Sequence, residues 1–280
     1  MTAFFILKNA SMKIEHFNKK NGFSADTFAW RYMNFEKLWD ILHNKKLFFA
    51  SLDSFEDLLE GLSRDLKIRL ELRKIHKYEL PKQQYEDFQF KNKLDVSFEE
   101  LRNWQQGSYS LCWYLTENGN HFESIAMWKF FNVSDGFVLK IPLVNLITIV
   151  SNSLKEFNNI EFPRAYYGKV EYLDLRRHID LLNNTPPNED ILPALIKHVA
   201  YRFENEFRFL LHRENIDGKF QHKKGLSIDL ISEPLFDNSQ IEIIANPNIG
   251  IRNYRLYRDE LERIGYSLKI STIPTKDILK

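Results

Sequence analysis

The chain has 280 residues, of which 44% are hydrophobic and 28% are charged. This composition excludes an intrinsically disordered or low-complexity chain, and the length is sufficient for one large domain with a substantial core. The 39 basic and 38 acidic residues leave a formal charge of +1. Overall charge therefore gives no reason to expect binding to nucleic acid or to a membrane surface, and any such contact must come from a local patch.

Cysteine and histidine usage excludes several kinds of site. The only cysteine, Cys112, rules out an internal disulfide and a multi-thiolate metal centre, and its apolar neighbours predict a buried, inert thiol. The eight histidines show no metal-ligand spacing, so we expect no metal site. The sequence also lacks a secretory signal pattern and a long apolar segment, so we expect a cytoplasmic protein with no membrane partner.

The first regular unit is predicted to be a strand, a helix and a second strand. Residues 28–33 alternate in the manner of a strand, and Asn34 is a suitable N-cap for the residues that follow. Apolar residues at helical spacing occupy 35–42, and the short apolar run 47–50 predicts the second strand.

A helical excursion is predicted next, over about residues 55–106. It begins with a capping-box-like pattern at Ser54 and is rich in Leu, Lys, Arg and Glu, with an interruption at Pro81. No linker is convincing enough to divide the chain. We therefore expect a single domain, 1–280, that contains this excursion.

The remaining sequence alternates strands and helices without a regular repeat. Residues 146–150 are too short an apolar run to assign. The predicted strands are 108–115, 136–141, 169–173, 203–211, 241–245 and 267–272. The predicted helices are 123–131, a helix from near Glu189 into Arg202, and 254–264 before Gly265 as the C′ residue. This mixed order favours an α+β fold with a mixed central sheet over a regular doubly wound one.

The strongest candidate for chemistry is the segment 203–209. On a strand of period two, Glu204, Glu206 and Arg208 share one face. The other face carries Phe203, Phe207 and Phe209, with Asn205 as an imperfect member. Paired carboxylates raise one another's pKa for acid–base work, and a neighbouring arginine limits that rise or binds an anionic group. The alternative interpretation is a solvated strand face with cross-strand ion pairs.

Arg31 is the second candidate because it lies between Trp30 and Tyr32 on the early strand. A guanidinium there can hold a phosphate or carboxylate while a ring stacks on a flat ligand. The alternative is an arginine that caps the edge of the core. Trp128 is also typical of a core residue, and Ser51 of a turn that follows a strand.

Several segments carry a family resemblance when they are taken together. They are 30–32 with the helix 38–42, 47–51 with Phe55 and Asp57, 126–131 with 136–138, 201–208, and an echo at 241–246. Over about residues 28–272 they resemble the bacterial domain-of-unknown-function family 2971. The most specific parts are the Met127-Trp128 segment followed by Gly136, and the Glu204-x-Glu206-x-Arg208 strand. Departures from the family pattern fall at Glu56, Leu58 and Asn246.

The resemblance extends at fold level to ADP-ribosyltransferases, including toxin members that modify DNA or RNA, and implies a split central sheet with a helical insertion. It implies that NAD is the co-substrate and that Arg31 binds its phosphates or ribose. Tyr32 or Trp128 would stack on a ring of NAD, with Trp30 and Tyr201 as the other candidate rings. Glu206, or Glu204, would hydrogen-bond the ribose and stabilise the cationic transition state. Ser51 and Arg208 complete the implied NAD-binding set.

These observations leave three hypotheses. The first is a toxin or antiphage effector that transfers ADP-ribose to a nucleic-acid or protein acceptor, with an antitoxin or defence-system partner. The second is a nucleic-acid-processing module in which Glu204 and Glu206 hold a divalent metal. The third is a non-enzymatic interaction domain that uses the excursion as its partner surface. The first predicts that Arg31, Ser51 and Glu206 converge on one cleft, and it should be dropped if Arg31 and Glu206 lie on opposite faces.

Overall fold

The structure is a computed structural model. It describes residues 12–17, 23–57, 59–62, 67, 70, 74, 77–78, 81–84, 105–117, 122–131, 135–157, 161–174, 193–213, 223–231 and 240–274. The strands with described bounds are β1 (Lys13–His16), β2 (Phe28–Asn34), β3 (Lys46–Ser51), β4 (Ser108–Thr116), β5 (Gly136–Pro142), β6 (Arg164–Lys169), β7 (Glu171–Leu173), β8 (Ile196–His198), β9 (Glu206–His212), β10 (Gly225–Asp229), β11 (Glu242–Ala245) and β12 (Leu268–Ile270). The helices with described bounds are α1 (Phe35–Leu42), α2 (Ile125–Phe131), α3 (Leu143–Phe157) and α4 (Ile251–Arg263).

Ten of the strands form one mixed sheet. Its main path runs β1-β6-β9-β4-β2-β5-β11-β12, and β3 joins β4 while β10 joins β3. The β1/β6 and β11/β12 pairs are parallel, and the other pairs in this sheet are antiparallel. A separate parallel pair links β7 to β8. The prediction of an α+β fold with a large mixed sheet is confirmed.

Strand β4 has two different partners along one of its edges. It pairs with β2 at residues 114–116 and with β3 at residues 109–110. On its other edge, β9 accompanies it without a break from Ser108 to Tyr114. Between the two partners, residues 111–113 of β4 have no strand beside them on that edge among the described residues. We call this opening between β2 and β3 the split.

The main core lies on one face of the sheet. Helices α1 and α3 pack there through buried leucines and isoleucines, and α4 contributes Leu261. A smaller cluster on the opposite face joins Trp30 and Tyr32 of β2 to Met127 and Trp128 of α2. None of the helices in the described part of the chain has both the length and the apolarity needed to cross a membrane.

The first predicted unit is confirmed. The Asn34 side chain accepts a hydrogen bond from the Lys37 backbone N–H at 3.1 Å, which caps α1 as its position predicted. The predicted C′ residue Gly265 follows α4 with a φ of 87°, a conformation that favours glycine. The unassigned segment 146–150 belongs to α3, which is fifteen residues long.

The helix predicted to begin at Ser54 does not begin there. Ser54 closes a 3₁₀ turn, and its hydroxyl donates back to the Ser51 carbonyl at 2.6 Å instead of capping the following residues. Residues 55–57 and 59–62 are turns and bends. Helical conformation is described at 67, 70, 74, 77–78, 82–84 and 105–106. The rest of the predicted excursion lies outside the described residues.

The segment around the candidate carboxylates differs most from its prediction. The helix predicted to run into Arg202 is replaced, from residue 193 onward, by a 3₁₀ turn (Pro193–Leu195), β8 and a second 3₁₀ turn (Val199–Glu204). Asn205 then adopts a left-handed conformation with a φ of 35°, so β9 begins at Glu206 and not at 203. The predicted alternation is broken at this turn, which leaves Phe203 41% exposed instead of facing the core.

Candidate active site

A cavity of about 570 Å³ lies at the split and takes its walls from several elements. Its floor comes from β4, one wall from β2 and α1, another from β3 and the turn that follows it, and the last from α2 and the 3₁₀ turn before β9. Arg31, Glu204 and Glu206 all line it, as do the rings of Trp113 and Tyr201. A volume of this size is typical of sites for small molecules and nucleotides.

Arg31 reaches across the split. Its Nη2 donates to the Phe48 carbonyl of β3 over a long 3.4 Å, and its guanidinium carbon lies 5.6 Å from the centre of the Trp113 ring. Its Nη1 is buried and has no hydrogen-bond partner among the described residues. Burial lowers the Arg31 pKa to about 10. A partly buried guanidinium with no acidic partner among the described residues favours an anionic ligand.

Two further β4 residues add to this end of the cavity. The Trp113 indole Nε1 is a second buried donor without a described partner. Cys112, predicted to be buried and inert, is half-buried and lines the cavity. Its pKa is raised to about 12, mainly by burial and then by the charge of Glu206. Cys112 thus retains its thiol proton at neutral pH, which fits the predicted lack of reactivity.

A network of buried ion pairs lies at the other end of the cavity. Arg208 Nη1 and Nη2 donate to the two carboxylate oxygens of Glu60 at 2.6 and 3.1 Å, and Arg208 Nε donates to Glu206 at 2.6 Å. Its Nη1 also donates to the Ala194 carbonyl at 2.7 Å. Arg208 is completely buried, so it acts on Glu206 from beneath the cavity and does not line it. The alternative prediction of a solvated strand face is therefore wrong for Arg208.

Lys197 of β8 completes this network. Its ammonium pairs with Glu204 and lies 3.7 Å from Glu60 and 3.8 Å from Glu206. Burial disfavours the Lys197 charge, but the carboxylate of Glu206 and then that of Glu60 outweigh it and raise the Lys197 pKa. Its Nζ also lies 4.6 Å from the centre of the Tyr201 ring.

Glu204 and Glu60 have opposite protonation preferences. Burial and then the charge of Glu206 raise the Glu204 pKa, and Lys197 opposes both, with a net value of about 7. Burial acts in the same direction on Glu60, but Arg208 and Lys197 outweigh it and hold the Glu60 pKa below its usual value. Glu204 is thus poised to exchange a proton near neutral pH.

Arg31 and Glu206 enter the cavity from different faces of the sheet. Trp30 pairs with Tyr114, and Tyr114 pairs with Glu206, so these three side chains share a face. Arg31, next to Trp30, belongs to the opposite face. This placement counts against the transferase hypothesis as the sequence posed it, and Ser51 does not join the two residues. The split, however, opens the sheet between β2 and β3, and both Arg31 and Glu206 line one cavity there. Cys112, two residues before Tyr114 on β4, belongs to the same face as Glu206 and lines the same cavity.

The structure brings only some of the other predicted residues to the cavity. Tyr32 lines it, and its hydroxyl accepts a hydrogen bond from the Ser124 backbone N–H at 2.8 Å. Trp128 packs edge-on against Tyr32 in the smaller core and donates to Glu123, and it is not a lining residue. Ser51 is fully buried outside the lining, where its hydroxyl donates to Asp53 at 2.6 Å.

Sequence reasoning missed two members of the network. Glu60 lies 148 positions from Arg208 in the chain and follows an ordinary run of acidic and leucine residues. Lys197 was placed on a helix, where it had no relation to the carboxylates. The tight spacing of Lys197, Glu204 and Glu206 was the only sequence signal available.

A divalent metal finds little support in this arrangement. In the portion of the chain that the structure describes, no three or more His, Cys, Asp or Glu side chains are grouped so as to hold a metal ion. Glu204 faces Lys197 and Glu206 faces Arg208, so cations of the protein already occupy the carboxylates that the second hypothesis assigns to metal.

Comparison with known proteins leaves the geometry as the basis for any functional conclusion. No family model, curated protein or solved structure matches this chain. The resemblance to the domain-of-unknown-function family and to ADP-ribosyltransferases therefore stays a prediction from sequence motifs.

Proposed function

We propose that the protein is an ADP-ribosyltransferase-like enzyme that binds NAD in the cavity at the split. The observation that carries this proposal is that Arg31, Glu204 and Glu206 line a single cavity. The residues suit the three chemical parts of NAD. Arg31 and the Trp113 indole offer a pyrophosphate donors that have no partner among the described residues. The aromatic walls offer rings for a flat base, and the carboxyls offer acceptors for ribose hydroxyls.

The two carboxyl groups would divide the chemistry. Glu206, oriented by Arg208, would accept a ribose hydroxyl and stabilise the positive charge that develops as the bond from ribose C1′ to nicotinamide N1 breaks, with its electron pair leaving on nicotinamide. An acceptor lone pair would then form the new bond to C1′. Glu204 would take the proton that the acceptor loses, because its pKa of about 7 suits a base near neutral pH.

The test is turnover of radiolabelled NAD in the presence of cell lysate or nucleic acid. We expect release of nicotinamide and transfer of label by the wild type, and a loss of at least about 100-fold in Glu206→Gln, the magnitude typical of removing one transition-state contact. Glu156→Gln on the exposed surface of α3 is the matched control and should retain full activity. Absence of NAD binding and of nicotinamide release in the wild type, or full activity of Glu206→Gln, would contradict the proposal.

A further inference from the structure

Three phenylalanines form an exposed aromatic wall at the mouth of the cavity. Phe130 and Phe131 at the end of α2 are 44% and 41% exposed, and Phe203 in the 3₁₀ turn before β9 is 41% exposed. Their rings are in contact, with centroids 5.4 Å apart for Phe130–Phe131 and 5.7 Å apart for Phe130–Phe203. Single exposed apolar residues are ordinary, but a contiguous group of rings at a cavity mouth marks a binding surface.

Two basic residues adjoin the phenylalanines of this wall in the chain. Lys129 and Arg202 are exposed next to Phe130 and Phe203, and neither forms an ion pair with any residue that the structure describes. Helix α2 contains no acidic residue, and the acidic residues that line the cavity are Glu36, Asp40, Glu56, Asp57, Glu204 and Glu206. The aromatic wall therefore combines exposed rings with two exposed cations for which the structure describes no ion pair.

The wall continues into the catalytic end of the cavity. Phe130 and Phe131 line the cavity themselves, and Tyr201, one turn before Phe203, lines it beside Lys197. Glu204 follows Phe203 directly in the chain and lines the same space. A flat group stacked on the wall would consequently lie close to the carboxyl group with the raised pKa.

We propose that the aromatic wall binds single-stranded nucleic acid and presents a base to the cavity. Unpaired bases stack on Phe130 and Phe203, and backbone phosphates contact Lys129 and Arg202. Aromatic rings interleaved with basic residues match this polymer, whose every unit has a flat face and a negative charge. A duplex is excluded because its bases are already stacked. Binding of nucleic acid to the wall does not depend on a transferase activity. The role of the wall as the acceptor site rests on the proposed transferase function.

The test is fluorescence anisotropy of labelled single-stranded DNA and RNA of about 12 nucleotides, within the site sizes of single-strand binders. We expect saturable binding at low salt that weakens at least about fivefold in Phe203→Ala, the loss of about 1 kcal/mol of stacking. Phe203→Trp should bind with the affinity of the wild type, because it keeps an aromatic ring for stacking. Leu256→Ala removes a side chain that is 56% exposed on α4 and should leave affinity unchanged.

Salt dependence separates charge from stacking. Lys129→Gln should reduce the slope of log affinity against log salt by about 0.7, the contribution of one phosphate contact on a single strand. Binding that is absent at low salt, or that is equal in wild type and Phe203→Ala, would overturn the proposal. Label transfer to a protein in nuclease-treated lysate that is lost in Phe203→Ala, without oligonucleotide binding, would also overturn it and assign the wall to a protein acceptor.

Parallel measurement of NAD binding by the wild type separates this inference from the proposed function. Oligonucleotide binding without NAD binding would contradict the transferase and leave the nucleic-acid surface standing. NAD binding without oligonucleotide binding would contradict the surface and leave the transferase standing.

Discussion

Two arginines, Arg31 in the cavity lining and Arg208 beneath it, differ in what surrounds them. Arg208 is completely buried, and its guanidinium donates to two carboxylates and a carbonyl. Burial disfavours its charge, but Glu206 and Glu60 outweigh it and hold the Arg208 pKa well above its usual value. Among the described residues Arg31 has one long hydrogen bond and no partner for Nη1, and burial lowers its pKa to about 10.

The comparison distinguishes an arginine with a structural role, Arg208, from one whose described contacts leave it able to bind a ligand, Arg31. Folding has supplied Arg208 with its counter-charges, so its interactions are complete and contribute to stability. Arg31 bears the cost of partial burial without a described counter-charge. An anionic ligand that entered the cavity would supply the missing acceptor, so Arg31 is the arginine on which binding should depend.

The two arginines should differ most in their contribution to the free energy of unfolding. Arg208→Met should lower the free energy of unfolding by about 3–5 kcal/mol, because it leaves buried Glu60 and Glu206 without their counter-charge. Arg31→Met should change it by less than about 1 kcal/mol, because it removes no buried ion pair. Chemical denaturation of the two variants beside the wild type measures both values. Equal losses would show that Arg31 is also a structural residue.

The segments with the most consistent sequence patterns were predicted correctly. Strand β2, helix α1 and strand β3 were predicted because alternation, the Asn34 cap and the apolar spacing agree with one another. The position of Arg31 on β2 followed from that agreement. The lack of a described hydrogen-bond partner for Arg31 Nη1 could not be predicted, because it depends on how far β3 separates from β2 across the split.

The carboxylate end was predicted less well for two physical reasons. The period-two pattern of 203–209 was real in β9, but the left-handed turn at Asn205 removed Phe203 and Glu204 from the strand. The partners of Arg208 come from distant segments. A single sequence gives no signal for a contact between residues 148 positions apart, such as Glu60 and Arg208.

A second effect on stability is expected from the protonation of Glu204. Burial and Glu206 raise the Glu204 pKa from 4.5 to about 7, so between these values the folded protein holds a proton that the unfolded chain has released. The contribution of Glu204 to stability is therefore complete below pH 4.5 and declines until about pH 7. The stability of Glu204→Gln relative to wild type should rise over that range and then level off.

Urea unfolding at several pH values from about 5 to 8 measures this difference, with Glu156→Gln as the exposed control. A relative stability of Glu204→Gln that falls as pH rises would mean that the folded protein favours the ionised form of Glu204. The division of roles between the two carboxyl groups would then be wrong.

A smaller effect is expected at Cys112, which pairs with Arg208 across β4 and β9. Burial and then Glu206 raise its pKa to about 12, above its ordinary value of 9.0. Alkylation of the folded protein should be slow and should accelerate about tenfold per pH unit between about pH 8 and 10, because only the thiolate reacts. The urea-unfolded chain should react faster at every pH. A folded rate equal to the unfolded rate would show that neither burial nor Glu206 acts on the thiol.

We propose that Arg31, whose Nη1 has no described partner, binds the anionic part of NAD, and calorimetric titration with NAD is the most direct test. The wild type should bind NAD, and Arg31→Met should weaken binding at least about tenfold, a loss of about 1.4 kcal/mol that one charge-assisted contact readily provides. Arg255→Met, at an exposed position of α4, should bind as the wild type does. Equal NAD affinity of Arg31→Met and wild type, or no affinity in either, would contradict the claim.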